Sequence, residues 1–339
     1  MTTHRPRRAA LATFLVAATL LAACGSSKNA PDAEKTATTK APAADAGDAK
    51  AISLTDINGT QSLEEPAVKV VALEWTYVED LLAVGVQPVG VADVPGYGQW
   101  VRADPALGKD VVDVGSRQEP SIERIRRLQP DLIITAAPRE GINADALADI
   151  APVLTFDAYP TDGKVTQWDE MTQTFTTIAR AVGKEDRAET VLADLDAKLA
   201  EGKKTLAAAD LSTESVVLAQ GEGTPDAPMF RMFTDNAMVM QVVRDLGLKN
   251  GWDGEEESYG FNSVTLEGLT AAGDAWFLPV APDDALDAFN DKYADSPIWT
   301  SLGFVKVDRV RPLGNDVWFF GGPLSADYLV DKIIAALTA

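Results

Sequence analysis

The stretch VKVVALEWTYVEDLLAVGVQPVGVA, residues 68–92, contains in turn a strand, a helix and a second strand. Residues 68–73 are a short apolar run that suits a buried strand, and residues 78–84 form a helical pattern that ends at Gly85. Residues 88–92 form a second short apolar run. Strands that alternate with helices in this way predict an α/β domain with a mainly parallel sheet.

The same alternation continues on both sides of one long helix, predicted at 184–209. That helix has about 24 residues and is roughly 36 Å long, which is enough to join two lobes. Further strands are predicted at 111–114, 131–135, 152–156, 215–219, 231–234 and 275–280, with helices at 121–128, 172–182, 236–246 and 324–337. Segments 120–125 and 264–269 also resemble each other. The sequence therefore predicts two α/β lobes, 51–183 and 210–339, each with a mainly parallel sheet flanked by helices, facing each other across a cleft.

The composition excludes several kinds of chemistry in the folded body. The 339 residues carry 30 Lys and Arg against 51 Asp and Glu, a net charge of −21. A chain this acidic lacks the basic surface that nucleic acids require. The single His is His4 and the single Cys is Cys24. Ser-His-Asp or Cys-His catalysis, Cys/His zinc sites and disulfides are therefore excluded after residue 24.

The N-terminus predicts export through a signal peptide at 1–23. Arg5, Arg7 and Arg8 precede an apolar run at 9–23, which is the order found in secretory signal peptides. As a helix this run spans about 22 Å, short of a bilayer core of roughly 30 Å, so a permanent transmembrane helix is the weaker interpretation. The paired arginines leave Sec and twin-arginine export both open.

A lipid anchor is predicted at Cys24. The sequence LAACG at 21–25 resembles a bacterial lipobox, in which the Cys becomes the lipidated N-terminus. Residues 25–50 contain no Leu, Ile, Val or aromatic residue, so they cannot bury enough apolar surface to fold. Residues 24–50 are thus predicted to be a lipidated Cys and a disordered tether that holds a monomeric body at the outer face of the cytoplasmic membrane.

Aromatic residues concentrate near the predicted ends of strands and helices. Six of the seven tryptophans lie at such ends or in loops: Trp75, Trp100, Trp252, Trp276, Trp299 and Trp318. Because ligands of parallel sheets bind beyond the carboxyl ends of the strands, these rings are candidates for the site of a bulky ligand. The alternative is that each ring caps the core locally.

Three charged residues are further candidates. Arg117 lies in a predicted strand-to-helix loop and could bind anionic oxygens, or form a surface ion pair with Asp113 or Glu119. Glu123 and Glu267 each fall in the first turn of a predicted helix, where the helix dipole favours negative charge. Their matched placement is also consistent with a pair of exposed acidic side chains on one face of the molecule.

Several motifs in this order resemble the ferric-siderophore-binding proteins of bacterial ABC importers, most of all the ferrichrome/hydroxamate type. The motifs are VALEWTYVEDLLAVGV at 71–86, DVGSRQEPSIE at 113–123, GWDG at 251–254 with Tyr259 and Gly260, and VWFFGGPLSA at 317–326. The resemblance covers about residues 66–338. It implies a helical-backbone periplasmic-binding-protein fold, with two α/β lobes, one connecting helix and a shallow cleft.

The resemblance also implies roles for particular residues. Residues expected to contact the ligand are Trp75, Trp100, Arg117, Arg139, Trp252, Tyr259, Trp318 and Phe320. In such sites an Arg contacts the oxygens around ferric iron and aromatic rings cover the apolar part of the siderophore. Glu123 and Glu267 match the acidic positions that dock onto the permease. Arg139 stands where the hydroxamate binders have a Tyr, which favours a more anionic, carboxylate-type chelate; for a catecholate, Arg231 is the only further cation found.

The sequence therefore predicts a non-enzymatic, extracytoplasmic protein that captures a ferric siderophore of the hydroxamate or carboxylate type and delivers it to an ABC permease. No cofactor and no directly bound metal is expected, because the iron arrives within the siderophore. A binding protein for another metal chelate is the first alternative, with cobalamin preferred to haem because haem usually needs an axial ligand such as His or Cys. A secreted hydrolase that uses two carboxylates is the more remote alternative.

Overall fold

The computed structural model of the chain describes residues 51–137, 143–160, 164–224, 227–281, 293 and 296–339. The predicted signal peptide, Cys24 and the tether lie outside the described residues, as does Arg139. No helix within the described ranges is long and apolar enough to cross a membrane.

The first sheet is entirely parallel, as predicted, with the order β5–β4–β3–β6–β7. Its strands are β3 (Val70–Ala72), β4 (Gly90–Val91), β5 (Val112–Asp113), β6 (Leu132–Ala136) and β7 (Val153–Phe156). A hairpin of β1 (Ile52–Asp56) and β2 (Gly59–Leu63) precedes them, and the helices α1 (Trp75–Ala83), α2 (Val94–Trp100), α3 (Ile122–Leu128) and α4 (Ala144–Ala148) connect them. Every residue of β3 and β6 is buried, which explains why these two central strands are largely apolar runs in the sequence.

The order of the first sheet reverses at β3. From β3 the chain goes first to β4 and β5 on one side, and then returns to β6 and β7 on the other side. Loops that follow the strands on either side of such a reversal diverge and leave a crevice at the carboxyl edge of the sheet. After β3 the chain continues through Leu73 to Glu74 and Trp75, so the fold places these two residues at this crevice.

Two long helices follow the first sheet, α5 (Gln167–Ala181) and α6 (Glu185–Ala208). Helix α6 is one unbroken helix of 24 residues, within the range 184–209 predicted for it. It contributes Ala188 to the core of the first sheet, and Leu195 and Leu199 to a core of the second sheet. Helix α6 therefore packs against both halves of the protein.

The second sheet is more mixed than the mainly parallel sheet predicted for it. Strand β8 (Ser215–Thr224) pairs parallel with β10 (Lys249–Asn250) and β12 (Trp276–Val280) but antiparallel with β9 (Ala227–Phe233), which pairs antiparallel with β11 (Phe261–Thr265). The cause is that β8 and β9 follow each other as a hairpin without an intervening helix. The α/β class is confirmed, and both sheets lie within one compact unit, so the lobe limits 51–183 and 210–339 stay a prediction.

The second sheet is covered by α7 (Met238–Asp245), a 3₁₀ helix at Glu267–Ala272, α8 (Pro297–Ser301), α9 (Gly303–Lys306) and the closing helix α10 (Pro323–Thr338). The 3₁₀ helix stands where the sequence predicts an α-helix that starts near Glu267. Helix α6 is tied to α10 by Lys198, whose Nζ atom lies 2.7 Å from carboxylate oxygens of both Asp327 and Asp331.

Candidate functional site

Trp75 is the first residue of α1 and lies at the carboxyl end of β3. The Glu74 side chain accepts a hydrogen bond from the Trp75 backbone N–H at 3.1 Å, so α1 begins three residues earlier than the predicted start at Val78. The indole N–H of Trp75 donates to the Ala92 carbonyl at the end of β4, at 3.2 Å. With 2% exposure, the Trp75 side chain forms the buried base of the crevice.

Arg117, which follows β5 at the same edge of the sheet, extends over Trp75. Its Cζ atom lies 3.7 Å from the Trp75 ring centroid and 5.7 Å from that of Trp318. Its Nη1 atom lies 2.7 Å from Oε1 of Glu74, so the ion pair is with Glu74 and not with Asp113 or Glu119. Burial lowers the pKa of Arg117 from its usual value, and its buried Nε atom has no hydrogen-bond partner in the part of the chain that the structure describes.

Trp318 and Phe320 bring the chain just before α10 onto this crevice. The Trp318 ring lies 4.9 Å from Trp75, 6.2 Å from Trp100 and 5.2 Å from Phe320, between ring centroids. Trp100 is the last residue of α2, a helix that the sequence analysis does not predict. Since Trp318 belongs to the core cluster of the first sheet while Phe320 packs against both cores, these two residues join the two halves at the site.

Tyr259 extends the same set of rings toward solvent. Its ring centroid lies 5.0 Å from Tyr159 and 6.1 Å from Phe261, and both of these rings contact Phe320, at 6.2 and 5.8 Å. Tyr259 is 52% exposed. We refer to the connected rings as the aromatic cluster, which consists of Trp75, Trp100, Tyr159, Tyr259, Phe261, Trp318 and Phe320.

Two members of the aromatic cluster, Tyr159 and Phe261, are not found by sequence reasoning. Tyr159 follows β7, so the strand-end argument made for the tryptophans would have found it had it been applied to tyrosines. Phe261 begins β11, which has no counterpart among the predicted strands, and no sequence signal distinguishes it.

Trp252 lies outside the aromatic cluster. Its indole N–H donates to Oδ1 of Asn262 at 2.8 Å. Asn262 and Phe261 are neighbours in β11, so their side chains point to opposite faces of the second sheet. Trp252 packs against the core on one face, and Phe261 against the core on the other. Arg231 lies on the Phe261 side, with its Cζ atom 4.8 Å from that ring and its Nε atom 2.7 Å from Oε2 of Glu222.

Glu123 and Glu267 lie on the surface, away from the aromatic cluster. The Glu123 side chain is 81% exposed and approaches Arg127 one helical turn later, at 3.6 Å. Glu267 is exposed, and hydrogen bonds from its own backbone and from the Thr265 side chain lower its pKa. Both carboxylates are therefore accessible at the surface.

Behind the aromatic cluster, a buried carboxyl group joins α1 to α10. Glu79 Oε2 accepts hydrogen bonds from the backbone N–H groups of Gly322 at 3.3 Å and Ser325 at 2.8 Å, and Ser325 Oγ donates to Oε1 at 2.8 Å. Glu79 thereby supplies the N-terminal cap of α10, which has none from its own N-cap residue, Gly322. Burial raises the pKa of Glu79 to about 7, although these hydrogen bonds act in the opposite direction.

The site is suited to binding a large ligand. One cation lies among aromatic faces, and such faces offer apolar area while the guanidinium offers directed donors to anionic oxygens. Within the described residues, no group of three or more His, Cys, Asp or Glu side chains is arranged to hold a metal ion.

Comparisons with known proteins agree with this fold. Residues 70–317 match the sequence model of the family described as "Periplasmic binding protein". The iron(3+)-hydroxamate-binding protein FhuD of Escherichia coli is 31% identical over 265 residues, which cover 77% of this chain and 84% of that protein. A Bacillus subtilis protein named "Probable siderophore-binding lipoprotein YfiY" is 27% identical over 338 residues, 94% of each chain.

Among solved structures, the chain is similar to the siderophore-binding protein FhuD of Vibrio cholerae, which was crystallised with Fe³⁺-Desferal bound. The TM-score is 0.72 at 29% sequence identity, and the alignment covers 80% of this chain and 98% of that chain.

Proposed function

Because the chain belongs to the periplasmic binding protein family, we propose that it captures a ferric siderophore outside the cytoplasm and delivers it to an ABC permease. The siderophore is of the hydroxamate or carboxylate class, and ferric iron is the cargo that it carries. The family consists of substrate-binding proteins, and the site supports binding rather than catalysis. The names of the related proteins and the solved Vibrio cholerae neighbour support this proposal.

The observation that carries the proposal is the guanidinium of Arg117 above the Trp75 ring. Glu74 fixes one edge of this guanidinium, and the buried Nε atom has no partner in the described part of the chain. Oxygens that coordinate ferric iron in a hydroxamate or carboxylate chelate carry negative charge, and a guanidinium binds such oxygens through charge-assisted hydrogen bonds. These contacts support Arg117 as the residue that holds the iron-bearing end of the chelate.

The aromatic cluster contacts the rest of the ligand. A siderophore has an apolar organic backbone around its iron-binding groups, and Trp100, Trp318, Phe320 and Tyr259 offer ring surface from the crevice base to the solvent. Burial of this surface contributes about 25 cal/mol for each Å² removed from water. The chelate thus bridges Arg117 and the rings of the second half.

Glu123 and Glu267 are the proposed docking residues for the permease, and Cys24 the proposed lipid anchor. Both glutamates are exposed at the beginning of a helix, where a carboxylate can reach a basic pocket of a partner. A lipid on Cys24 would keep the binding protein near the permease at the outer face of the membrane.

The test is a titration of the full chain, solubilised in detergent, with a panel of ferric hydroxamates, ferric citrate, a ferric catecholate, haem and cobalamin, followed by tryptophan fluorescence. We expect quenching by a ferric hydroxamate or carboxylate. Arg117→Ala is expected to raise the Kd of that ligand by roughly 10- to 150-fold, since a hydrogen bond to a charged group is worth about 1.5–3 kcal/mol.

Two further variants separate the site contact from a general effect of charge. Arg117→Lys keeps the positive charge but loses the planar guanidinium group and its directed N–H donors. The Kd of this variant should therefore lie between those of wild type and Arg117→Ala. Arg187→Ala removes a positive charge from an exposed position on α6 and should leave the Kd unchanged. Binding of cobalamin or haem but of no ferric siderophore would refute the proposal, and an unchanged Kd in Arg117→Ala would remove this residue from the site.

The docking role is tested separately, in cells. Glu123→Lys combined with Glu267→Lys should abolish uptake of the radiolabelled ferric siderophore while the purified variant keeps its Kd. Uptake at the wild-type rate would show that these two carboxylates do not dock onto the permease.

A further inference from the structure

A small cavity adjoins the aromatic cluster and shares Tyr159 and Phe320 with it as lining residues. Most of its remaining lining comes from α1 and α5, including Asp80 and Glu170. Its free volume of about 30 Å³ is enough for a group the size of a water molecule. The cavity is therefore too small for a chelate but large enough for one polar end group.

Asp80 is a buried acidic residue in the lining of this cavity. Its side chain is 1% exposed, and its Oδ1 atom has no hydrogen-bond partner among the described residues. Burial, together with the charge of Glu79, raises the pKa of Asp80 well above its usual value. Because buried carboxyl oxygens in native proteins nearly always have a partner, the unpaired Oδ1 atom shows that the Asp80 carboxyl group has unused capacity to accept a hydrogen bond from a donor in the cavity that it lines.

A second acid makes the cavity attractive to cations. Glu170 lines it from α5, and Thr174 Oγ1 donates to Glu170 Oε1 at 2.9 Å. Burial and the nearby charge of Asp157 raise the pKa of Glu170. None of the lining residues described by the structure is Lys, Arg or His, so no positive charge within this lining offsets the two carboxyl groups.

The aromatic rings of the lining also favour a cation as the guest. The rings of Tyr77, Tyr159 and Phe320 line the cavity, and the faces of aromatic rings attract cations. Carboxyl groups combined with aromatic rings form the usual recognition site for an ammonium group. An ammonium group also has the size of a water molecule and supplies several N–H donors.

We propose that this cavity binds a protonated primary amine carried by the ferric siderophore, a proposal that rests on the function proposed above. The chelate lies on Arg117 and the aromatic cluster, and an aliphatic arm extends from it into the cavity along Tyr159 and Phe320, which belong to both. The ammonium group at the end of the arm donates to the Asp80 carboxyl group. The protein thereby selects chelates that carry an amine arm.

The test compares two chelates that differ only in this charge: ferric Desferal, a trihydroxamate that ends in a primary amine, and its N-acetylated form. Both are titrated against the full chain in detergent by tryptophan fluorescence. We expect wild-type protein to bind the amine form about tenfold or more tightly, which is the value of a charge-assisted hydrogen bond. Asp80→Asn should reduce this ratio to about one, and Glu170→Gln should reduce it in part.

Glu189→Gln is the matched control, because it removes one negative charge at an exposed position of α6 and should keep the wild-type ratio. Equal binding of the two chelates by wild-type protein would overturn the proposal. A preference that survives in both Asp80→Asn and Glu170→Gln would overturn the assignment to this cavity.

A second measurement separates this inference from the function on which it rests. n-Butylammonium chloride is added to wild-type protein and to Asp80→Asn, and the melting temperature is recorded. If no ferric chelate binds, the proposed function fails. In that case, if n-butylammonium raises the melting temperature of wild type but not of Asp80→Asn, the cavity binds a free amine. If the melting temperature of wild type does not rise, the proposal that the cavity is an amine site is overturned.

Discussion

Replacing Glu79 by Gln should make the protein more stable at alkaline pH. Glu79 is fully buried where α1 meets the start of α10, and its two carboxyl oxygens accept hydrogen bonds from Gly322 and Ser325. A Gln side chain has the same shape, keeps the acceptor for the two backbone N–H groups and can donate to Ser325 Oγ. The substitution therefore imitates the protonated carboxyl group and removes only the capacity to ionise.

The size of the effect follows from the pKa of Glu79, which burial raises from 4.5 to about 7. Because the folded state holds this proton more tightly than the unfolded state does, the free energy of unfolding falls as the pH rises from about 4.5 to about 7. One pKa unit corresponds to about 1.4 kcal/mol, so ionised Glu79 costs the folded state about 3 kcal/mol above pH 7. Glu79→Gln avoids this cost.

The assay is urea unfolding of the full chain in detergent, followed by tryptophan fluorescence between pH 4 and pH 8.5. We expect the two proteins to have equal free energies of unfolding near pH 4, and the variant to be more stable by about 3 kcal/mol at pH 8. Glu189→Gln, at an exposed position, should show no such difference at either pH. A difference between Glu79→Gln and wild type that does not change with pH, or a less stable variant at pH 8, would refute the reasoning.

Two other substitutions test the placement of the site and the packing of the second half. Trp318→Ala should weaken siderophore binding by about tenfold or more, because it removes a ring from the centre of the aromatic cluster. Trp252→Phe should leave the Kd within about twofold, because Trp252 lies on the opposite face of the second sheet from Phe261. Gly303→Ala should lower the free energy of unfolding by about 1–3 kcal/mol in a urea titration, since the added methyl group would meet the backbone carbonyl of Gly273. Gly98→Ala is the control and should leave the free energy of unfolding unchanged, because its methyl group would meet nothing within 4 Å.

The first sheet and the long helix follow from the sequence because their residues are uniform in character. Strand β6 is buried on both faces and α6 is a long run without Pro, so each has one simple pattern. The second sheet does not have such a pattern. Strand β8 continues past its apolar half into Gln220 and Glu222, which face Arg231 across the antiparallel pairing with β9. A polar half-strand of this kind is indistinguishable from a loop in sequence.

The site is only partly predictable for a related reason. Trp75, Trp100 and Arg117 lie together because they follow or border elements at one edge of the first sheet, and Trp318 reaches them from the segment before α10. The side on which Trp252 lies depends on the alternation along β11, which the sequence does not reveal. The pair Glu79 and Asp80 would ordinarily indicate a solvated helix face, but α1 is buried at all nine residues, between the first sheet, α5 and α10.

The contact between Trp75 and Trp318, 4.9 Å between ring centroids, has a consequence for which guests the protein accepts. The two indoles touch each other, so a molecule that inserted between them would gain only the difference between the contacts it makes and those it separates. A compact iron complex that reaches one indole breaks a contact without replacing it. A bulkier one that spanned both would replace what it separates and add more, so this contact would favour large guests over small ones.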